Sequence, residues 1–581
     1  MKKIMNNKVR GMATIKKRKK VKLTTHQIEK KKHTQEIQSI FTKAGFSRVP
    51  NIADKEIEFK GRKGDFDDVF VYQNIIVLVE YTVKSKELGE HLLPKKVLYD
   101  LIQGDKQGFI EYLKEHFSSF KEALGNYYGI DHYRVIQIYC SKYHLNKEYK
   151  QHLPYLIYLD YPIVKYFQEV VNRIKLSAKY ELFNFMRLKT EDIGQNVFSN
   201  LSEYCKVAGT VLPESASNFK RGYKVVSFYI APKELLEKSY VLRQDGWNDS
   251  LGVYQRMLVA KKMTSIREYL VHERRVFINN LLVTLPSDTK LIDKSTGQIV
   301  DPSKLNKTQP VEIQIPNRYN TIGLIDGQHR VYAYHEDNPN SSSEKIISLL
   351  RDQQNMLVSG IIYPDSISTQ EKTEFEAKLF LEINSNQANA KTELKQKIGL
   401  LLRPFSSESI ARSVIMKLNE EGPLLDVFET SFFDKDKVKT TSIVSFGVKS
   451  LVKLSGNDSL YCLWANPHKS GLLKGEEIRL LDEYKSFCVK EINEFFLPIK
   501  IITSNAGNWT SDRNNPNRVL STTVINGFII CLRKLIANNK TGNSEFYLKK
   551  LAPIATINFE EFKSSQYNKL AEKIYKECFD E

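Results

Sequence analysis

Ile322-Gly323-Leu324-Ile325-Asp326-Gly327-Gln328-His329-Arg330-Val331-Tyr332-Ala333-Tyr334-His335 is the stretch around which the rest of the chain is read. Ile322 to Ile325 is an apolar run of the length of a buried strand. Asp326-Gly327 then turns the chain, because Gly accepts a positive φ and Asp bonds its own backbone. From Gln328, Val331, Tyr334 and His335 fall at helical spacing. The spacing therefore predicts a strand, a tight turn and a helix start. Unpaired N–H groups and the positive end of a helix dipole point into such a turn. Arg330 adds a planar fork suited to phosphate or carboxylate, and His329 a group that titrates or ligates. This is geometry for holding an anion, with nucleotide or nucleic-acid phosphate the leading candidate. The alternative reading is a capped helix with an Arg–Asp pair.

Outward from this stretch the pattern is α+β. Downstream, a helix is expected at Glu344–Arg351, a strand at Leu357–Tyr363 and a helix at Gln370–Asn384 with Phe375, Leu379, Phe380 and Ile383 inward. Asn384, Asn386, Gln387 and Asn389 end it; such amides read a base edge, bind a ribose or cap the helix. Upstream, a strand is expected at Lys224–Ile230, a short helix at Pro232–Lys238 and a longer one at Leu251–Thr264, on which Arg256, Lys261 and Lys262 form a basic face. A strand follows at Phe277–Leu285. Ser287–Asn317, with Pro302, Pro310 and Pro316, reads as an insertion or exposed hairpin. Residues 401–581 read as mostly helical, with helices at Ser406–Asn419, Glu476–Phe496 and Ser521–Ala537.

Asp326-Gly327-Gln328-His329-Arg330 followed by Ala333 resembles the motif of DndB-like, DGQHR-domain proteins, which are similar to the ParB/sulfiredoxin superfamily. Tyr254-Gln255-Arg256, Arg274-Arg275 and Phe380-Leu381-Glu382-Ile383-Asn384-Ser385-Asn386-Gln387 extend the likeness over roughly residues 200–400. The resemblance implies a nucleotide or phosphate site at Asp326, Gly327, Gln328, His329, Arg330, Asn384 and Asn386, with a nucleoside triphosphate as ligand. It also implies a role in a DNA-modification or phage-defence system, with DNA and other proteins of the same operon as partners.

The N-terminal third lies outside that likeness. Lys16-Lys17-Arg18-Lys19-Lys20 sits in a basic arm over residues 1–23, sequence-neutral for phosphates. A helix is expected from about His26 to Ala44, with Ile28, Ile37, Ile40 and Phe41 as its apolar face. Strands are expected at Glu56–Lys60, Phe66–Tyr72 and Ile75–Val83, with turns at Gly61–Gly64 and Gln73-Asn74. A further strand falls at Tyr133–Cys140, and Lys175–Thr190 reads as a connecting segment. A helix, a hairpin and acids on adjacent strands resemble the PD-(D/E)xK restriction-endonuclease-like fold over residues 24–190. The resemblance makes Asp68 and Glu80 ligands of Mg2+ and catalytic groups, with Glu29 or Glu36 as an auxiliary ligand. Thr82 stands where the motif has Lys, so Lys84, further along the same face, is the displaced candidate.

Bulk properties set limits. The net charge is +19, and thirteen Lys/Arg fall in the first 32 residues against Glu29 alone. Such tails bind polyanions and increase on-rates. The six cysteines are scattered without a C-x-x-C pair, so neither a zinc ribbon nor a disulfide framework is indicated. No apolar run has the length of a membrane span, no signal-peptide pattern opens the chain, and a cytoplasmic location is expected. P-loop, Rossmann glycine and zinc-protease motifs are absent. The expectation is an α/β multidomain protein: a PD-(D/E)xK-like domain, a central ParB/DndB-like α+β domain and a helical region at 401–581. Functionally it reads as a DNA-associated, nucleotide-regulated, metal-dependent nuclease, or as a non-catalytic DNA-binding regulator or scaffold.

Overall fold

Thr24 starts the first element. In the computed structural model, which describes residues 24–84, 88–143, 147–198, 202–243, 257–385, 392–430, 434, 437–475 and 477–580, its hydroxyl accepts from Gln27 N–H while the Gln27 side chain accepts from Thr24 N–H. This capping box contributes ~1 kcal/mol. The helix Thr25–Lys43 buries His33, Ile37, Ile40 and Phe41; Ile28, expected on its apolar face, is exposed. Strands follow at Ser47–Arg48 (β1), Ile57–Phe59 (β2), Arg62–Gly64 (β3), Asp68–Tyr72 (β4), Ile75–Thr82 (β5), Arg134–Ser141 (β6) and Ile157–Asp160 (β7). They form a sheet of order β1-β4-β5-β6-β7, with β2-β3 as a separate pair. The turn read at Gly61–Gly64 is tighter than expected: Lys60 and Gly61 take positive φ, and Arg62–Gly64 is itself a strand. β1, β4 and β5 run antiparallel, whereas β5, β6 and β7 run parallel. β5 is buried along its whole length, which is why Ile75 to Val79 reads as an unbroken apolar run. Val77, Val79 and Tyr81 share a core with Ile37, Phe41 and the helix Tyr161–Ile174. Ile76 and Leu78 face the helices Leu88–Gly104 and Lys106–His116.

The segment read as a connector at 175–190 contains a helix, Ala178–Phe185, whose Leu182 and Phe183 are buried. It fastens the first sheet to the second. Leu176 N–H donates to the Glu336 carbonyl, and the Glu336 carboxylate pairs with Lys179 and accepts from Tyr180 OH. One apolar core runs through both regions. The second sheet contains Tyr204–Val211 (β8), Lys224–Ile230 (β9), Ser239–Tyr240 (β10), Leu281–Leu285 (β11), Lys290–Ile292 (β12), Gln309–Pro316 (β13), Ile322–Asp326 (β14) and Met356–Ile362 (β15). Its order is β10-β14-β11-β15-β9-β8-β13-β12.

Three expectations are corrected here. The stretch read as an insertion supplies β12 and β13, and β13 pairs with β8 from Gln309↔Val211 to Pro316↔Tyr204. Val311, Ile313 and Ile315 alternate inward, a period-2 signal that the prolines at its ends obscured. The long helix runs over Ala260–Glu273 rather than ending at Thr264, because Met263 and Leu270, seven apart, are the buried positions. The strand expected from Phe277 begins at Leu281.

The helices Ser407–Leu418, Ile478–Ser504, Thr522–Ala537 and Tyr567–Phe579 bury a separate core. Ile478–Ser504 continues past its expected end and carries Pro498 inside it. The whole is a mixed α/β multidomain protein. Among the described residues, no helix is long and apolar enough to cross a membrane.

Candidate functional site

Register decides which acids of the first sheet meet. Asp68 pairs with Val79 across β4 and β5, so it takes the face of Val79 and turns away from Glu80, one residue further on. Asp68 is fully buried there. It accepts from Arg48 Nε, from Gln38 Nε2 at 2.7 Å and from Tyr81 OH at 2.7 Å. The expected Asp68–Glu80 metal pair is therefore not formed; Asp68 is a structural anchor for the first helix.

Asp67, one residue earlier on the chain, falls on the Glu80 face instead. Its Oδ2 accepts from Tyr81 N–H at 2.6 Å, and Lys30 lies 3.5 Å from its Oδ1. Its charge acts on Glu80: burial first, then Asp67, pushes the Glu80 carboxyl up to about 8, against the pull of Lys95. Burial also raises Asp67. Two buried carboxylates on one side of a sheet oppose each other's ionisation.

The lysine is also not the expected one. Lys84 is exposed beyond the end of β5. Lys95 Nζ instead lies 2.5 Å from Glu80 Oε1 and 3.1 Å from Asp65 Oδ1. It rides on the helix Leu88–Gly104, three and four residues before the buried Leu98 and Tyr99, hence on the face turned to the sheet. That spacing was legible and was missed. Tyr99, stacked on Phe66, brings a buried hydroxyl without a hydrogen-bond partner into the field of Glu80. Glu29 and Glu36 pair with Lys142 and Lys165.

No group of three or more His, Cys, Asp or Glu side chains arranged for a metal ion is found among the described residues. Asp67 and Glu80 nevertheless suit Mg2+ by donor chemistry. Mg2+ takes one or two carboxylates and keeps several waters, and a cation offsets both the burial and the Asp67 charge that raise Glu80.

The Asp326–Arg330 turn has the expected backbone. Gly327 lies at φ +100°, and a Cβ there would meet Leu281 Cδ2 at 2.3 Å, so only Gly fits. The helix it opens, Gln328–Tyr332, has five residues. Arg330 does not face an open anion site. Its Nη2 donates to Asp326 Oδ2 at 2.8 Å, and its Nη1 donates to the carbonyls of Asn279 and Asn280 at 2.8 and 3.0 Å. His329 Nε2 accepts from Val259 N–H at 3.0 Å; burial, then Lys262, takes its pKa down to about 4, so it is neutral at physiological pH. Gln328 is half-buried. In this arrangement Arg330 ties the end of β14 to the residues just before β11. Lys16, Lys17, Arg18, Lys19, Lys20, Arg256 and Asn386 lie outside the described residues. So does the side chain of Asn384, although its helix, Thr369–Ser385, is present.

No protein-family model, curated protein or solved structure matches this chain.

Proposed function

We propose that the chain is a DNA-associated protein whose N-terminal sheet carries a metal-dependent nuclease site built from Asp67, Glu80 and Lys95. The observation that carries this reading is the convergence of two buried carboxylates and a lysine on one sheet face, with Glu80 raised to about 8. Asp67 and Glu80 would hold Mg2+, which when bound polarises a phosphoryl oxygen and lowers the pKa of its water. Tyr81 N–H and Lys30 fix Asp67. Lys95 fixes Glu80 and keeps a proton donor at the same edge, the part first given to Lys84. The net charge of +19 favours a polyanionic partner. The mixed sheet with an antiparallel β4–β5 hairpin supports the PD-(D/E)xK-like reading. The likeness of Asp326–Arg330 to DGQHR-domain proteins supports the ParB/DndB-like one, and with it a place in a DNA-modification or phage-defence system. Arg330 at that turn is engaged inside the fold, so a nucleotide phosphate there would have to displace Asp326 and the Asn279 and Asn280 carbonyls.

The second reading, a non-catalytic DNA-binding regulator, is favoured by Thr82 at the motif position of Lys. It is also favoured by the near-complete burial of Glu80 beneath Lys95. Plasmid cleavage with Mg2+ or Mn2+ separates the two. The first reading expects metal-dependent cutting by the wild type and none by Glu80→Ala. DNA retained without cutting in any metal overturns it in favour of the second.

A further inference from the structure

A cavity of about 410 Å3 lies where the two sheets are fastened together, within the ~300–1,000 Å3 range of small-molecule sites. One wall is the end of the helix Tyr161–Ile174 with Arg173 and Lys175. Another is the helix Ala260–Glu273, and the third is the segment after Tyr334, with His335 and Asp337. Neither the Glu80 face nor the Asp326–Arg330 turn contributes to it.

The wall from the N-terminal region carries positive charge, from Arg173, which is paired with Glu169, and from Lys175. Arg173 gives Nη2 to Glu169 at 2.7 Å, but its Nε is buried and has no partner. Lys175 makes no ion pair or hydrogen bond through its side chain among the described residues. It sits at the cavity with a positive φ of +47°. Arg267 is consumed at the back, donating to the Ala333 and His335 carbonyls and to Glu344. His335 is neutral, taken down to about 3 by burial and then by Arg267. Met263 and Val271 add apolar surface, and Glu268 and Asp337 add acceptors to the lining. A complementary ligand is anionic at one end, with donor groups on its body.

We propose that this cavity binds a small phosphate-bearing molecule, its phosphate on Arg173 and Lys175 and its hydroxyl or amine donors toward Glu268 and Asp337. The walls come from both regions and meet beside the Glu336 clasp, so an occupied cavity stiffens their junction. The site stands independently of any nuclease activity.

Calorimetric titration and thermal unfolding of the full chain test this, with inorganic phosphate, pyrophosphate and AMP as probes at constant ionic strength. Wild type is compared with Arg173→Gln, Lys175→Gln and, as a charge control on another face, Lys84→Gln. The proposal expects saturable binding and a raised unfolding midpoint in wild type and Lys84→Gln. It expects affinity to fall about tenfold or more in the other two, since charge-assisted contacts are lost. Phosphate binding as tightly as AMP identifies free phosphate as the ligand; tighter AMP binding identifies a nucleotide. No saturable binding by any probe overturns the proposal, as does equal weakening in Lys84→Gln.

Discussion

The Asp67–Glu80 face and the Asp326–Arg330 turn each set carboxylates against a basic side chain at the end of a strand, and the fold uses them in opposite ways. In the turn, acid and base face each other four residues apart, and Arg330 spends its remaining donors on the carbonyls of Asn279 and Asn280. The sequence signature is compact because the interaction is local, and it is satisfied within the protein. On the sheet face, Asp67, Glu80 and Lys95 come from three elements, and two like charges are held together in a buried place. Burial and the neighbouring Asp67 make the ionised form of Glu80 costly there. The compact motif is thus satisfied by its own neighbours, whereas the sheet face gathers its acids and lysine from separate elements.

That contrast is open to attack, beginning with the largest effect. Lys95→Ala should cut metal-dependent cleavage by about a hundredfold or more with little change in DNA affinity, whereas Lys84→Ala should leave the rate unchanged; single-turnover cleavage assays decide. If Lys84 proves to be the residue that matters, the site has been placed on the wrong lysine.

In the turn the expected loss is of stability. Gly327→Ala combines an unfavourable φ with the overlap on Leu281 and should cost about 3 kcal/mol. Arg330→Ala should cost about 2 kcal/mol by leaving Asp326 and two carbonyls without their donor. Urea unfolding measures both. An Arg330→Ala protein of unchanged stability that no longer binds a nucleotide would restore the turn as a ligand site.

The smallest effect is pH-dependent. Glu80 binds its proton more tightly in the folded chain than in the unfolded one, so its contribution to stability is complete below pH 4.5 and is lost as pH rises through about 8. Glu80→Gln cannot titrate and should lack that slope between pH 4.5 and pH 8. Parallel stability profiles for the two proteins would mean that Glu80 is ionised throughout.

Local elements were legible where periodicity and turn chemistry agree. Lys224–Ile230 and Pro232–Lys238 fall where their patterns put them, and Ile322–Asp326 extends one residue past its apolar run. The site was legible only in outline. Glu80 lies on β5, but Asp67 and Asp68 are adjacent, and the register of β4 against β5 alone decides which one shares its face. A one-residue offset reverses the assignment, and no local pattern carries it. The partners of Arg330 lie about fifty residues away in sequence, beyond the reach of spacing. Lys95 is different: its place three and four residues before the buried Leu98 and Tyr99 is a helical-face signal carried by the sequence itself.

The most direct test of the central claim is Mn2+ titration calorimetry on wild type, Asp67→Asn and Asp68→Asn, run in buffers of different ionisation enthalpy. The account predicts one metal site whose filling releases protons near neutral pH as Glu80 ionises. Asp67→Asn should lose that site, and Asp68→Asn should keep it despite a less stable fold. Loss of metal binding in Asp68→Asn, with Asp67→Asn unaffected, would contradict the account.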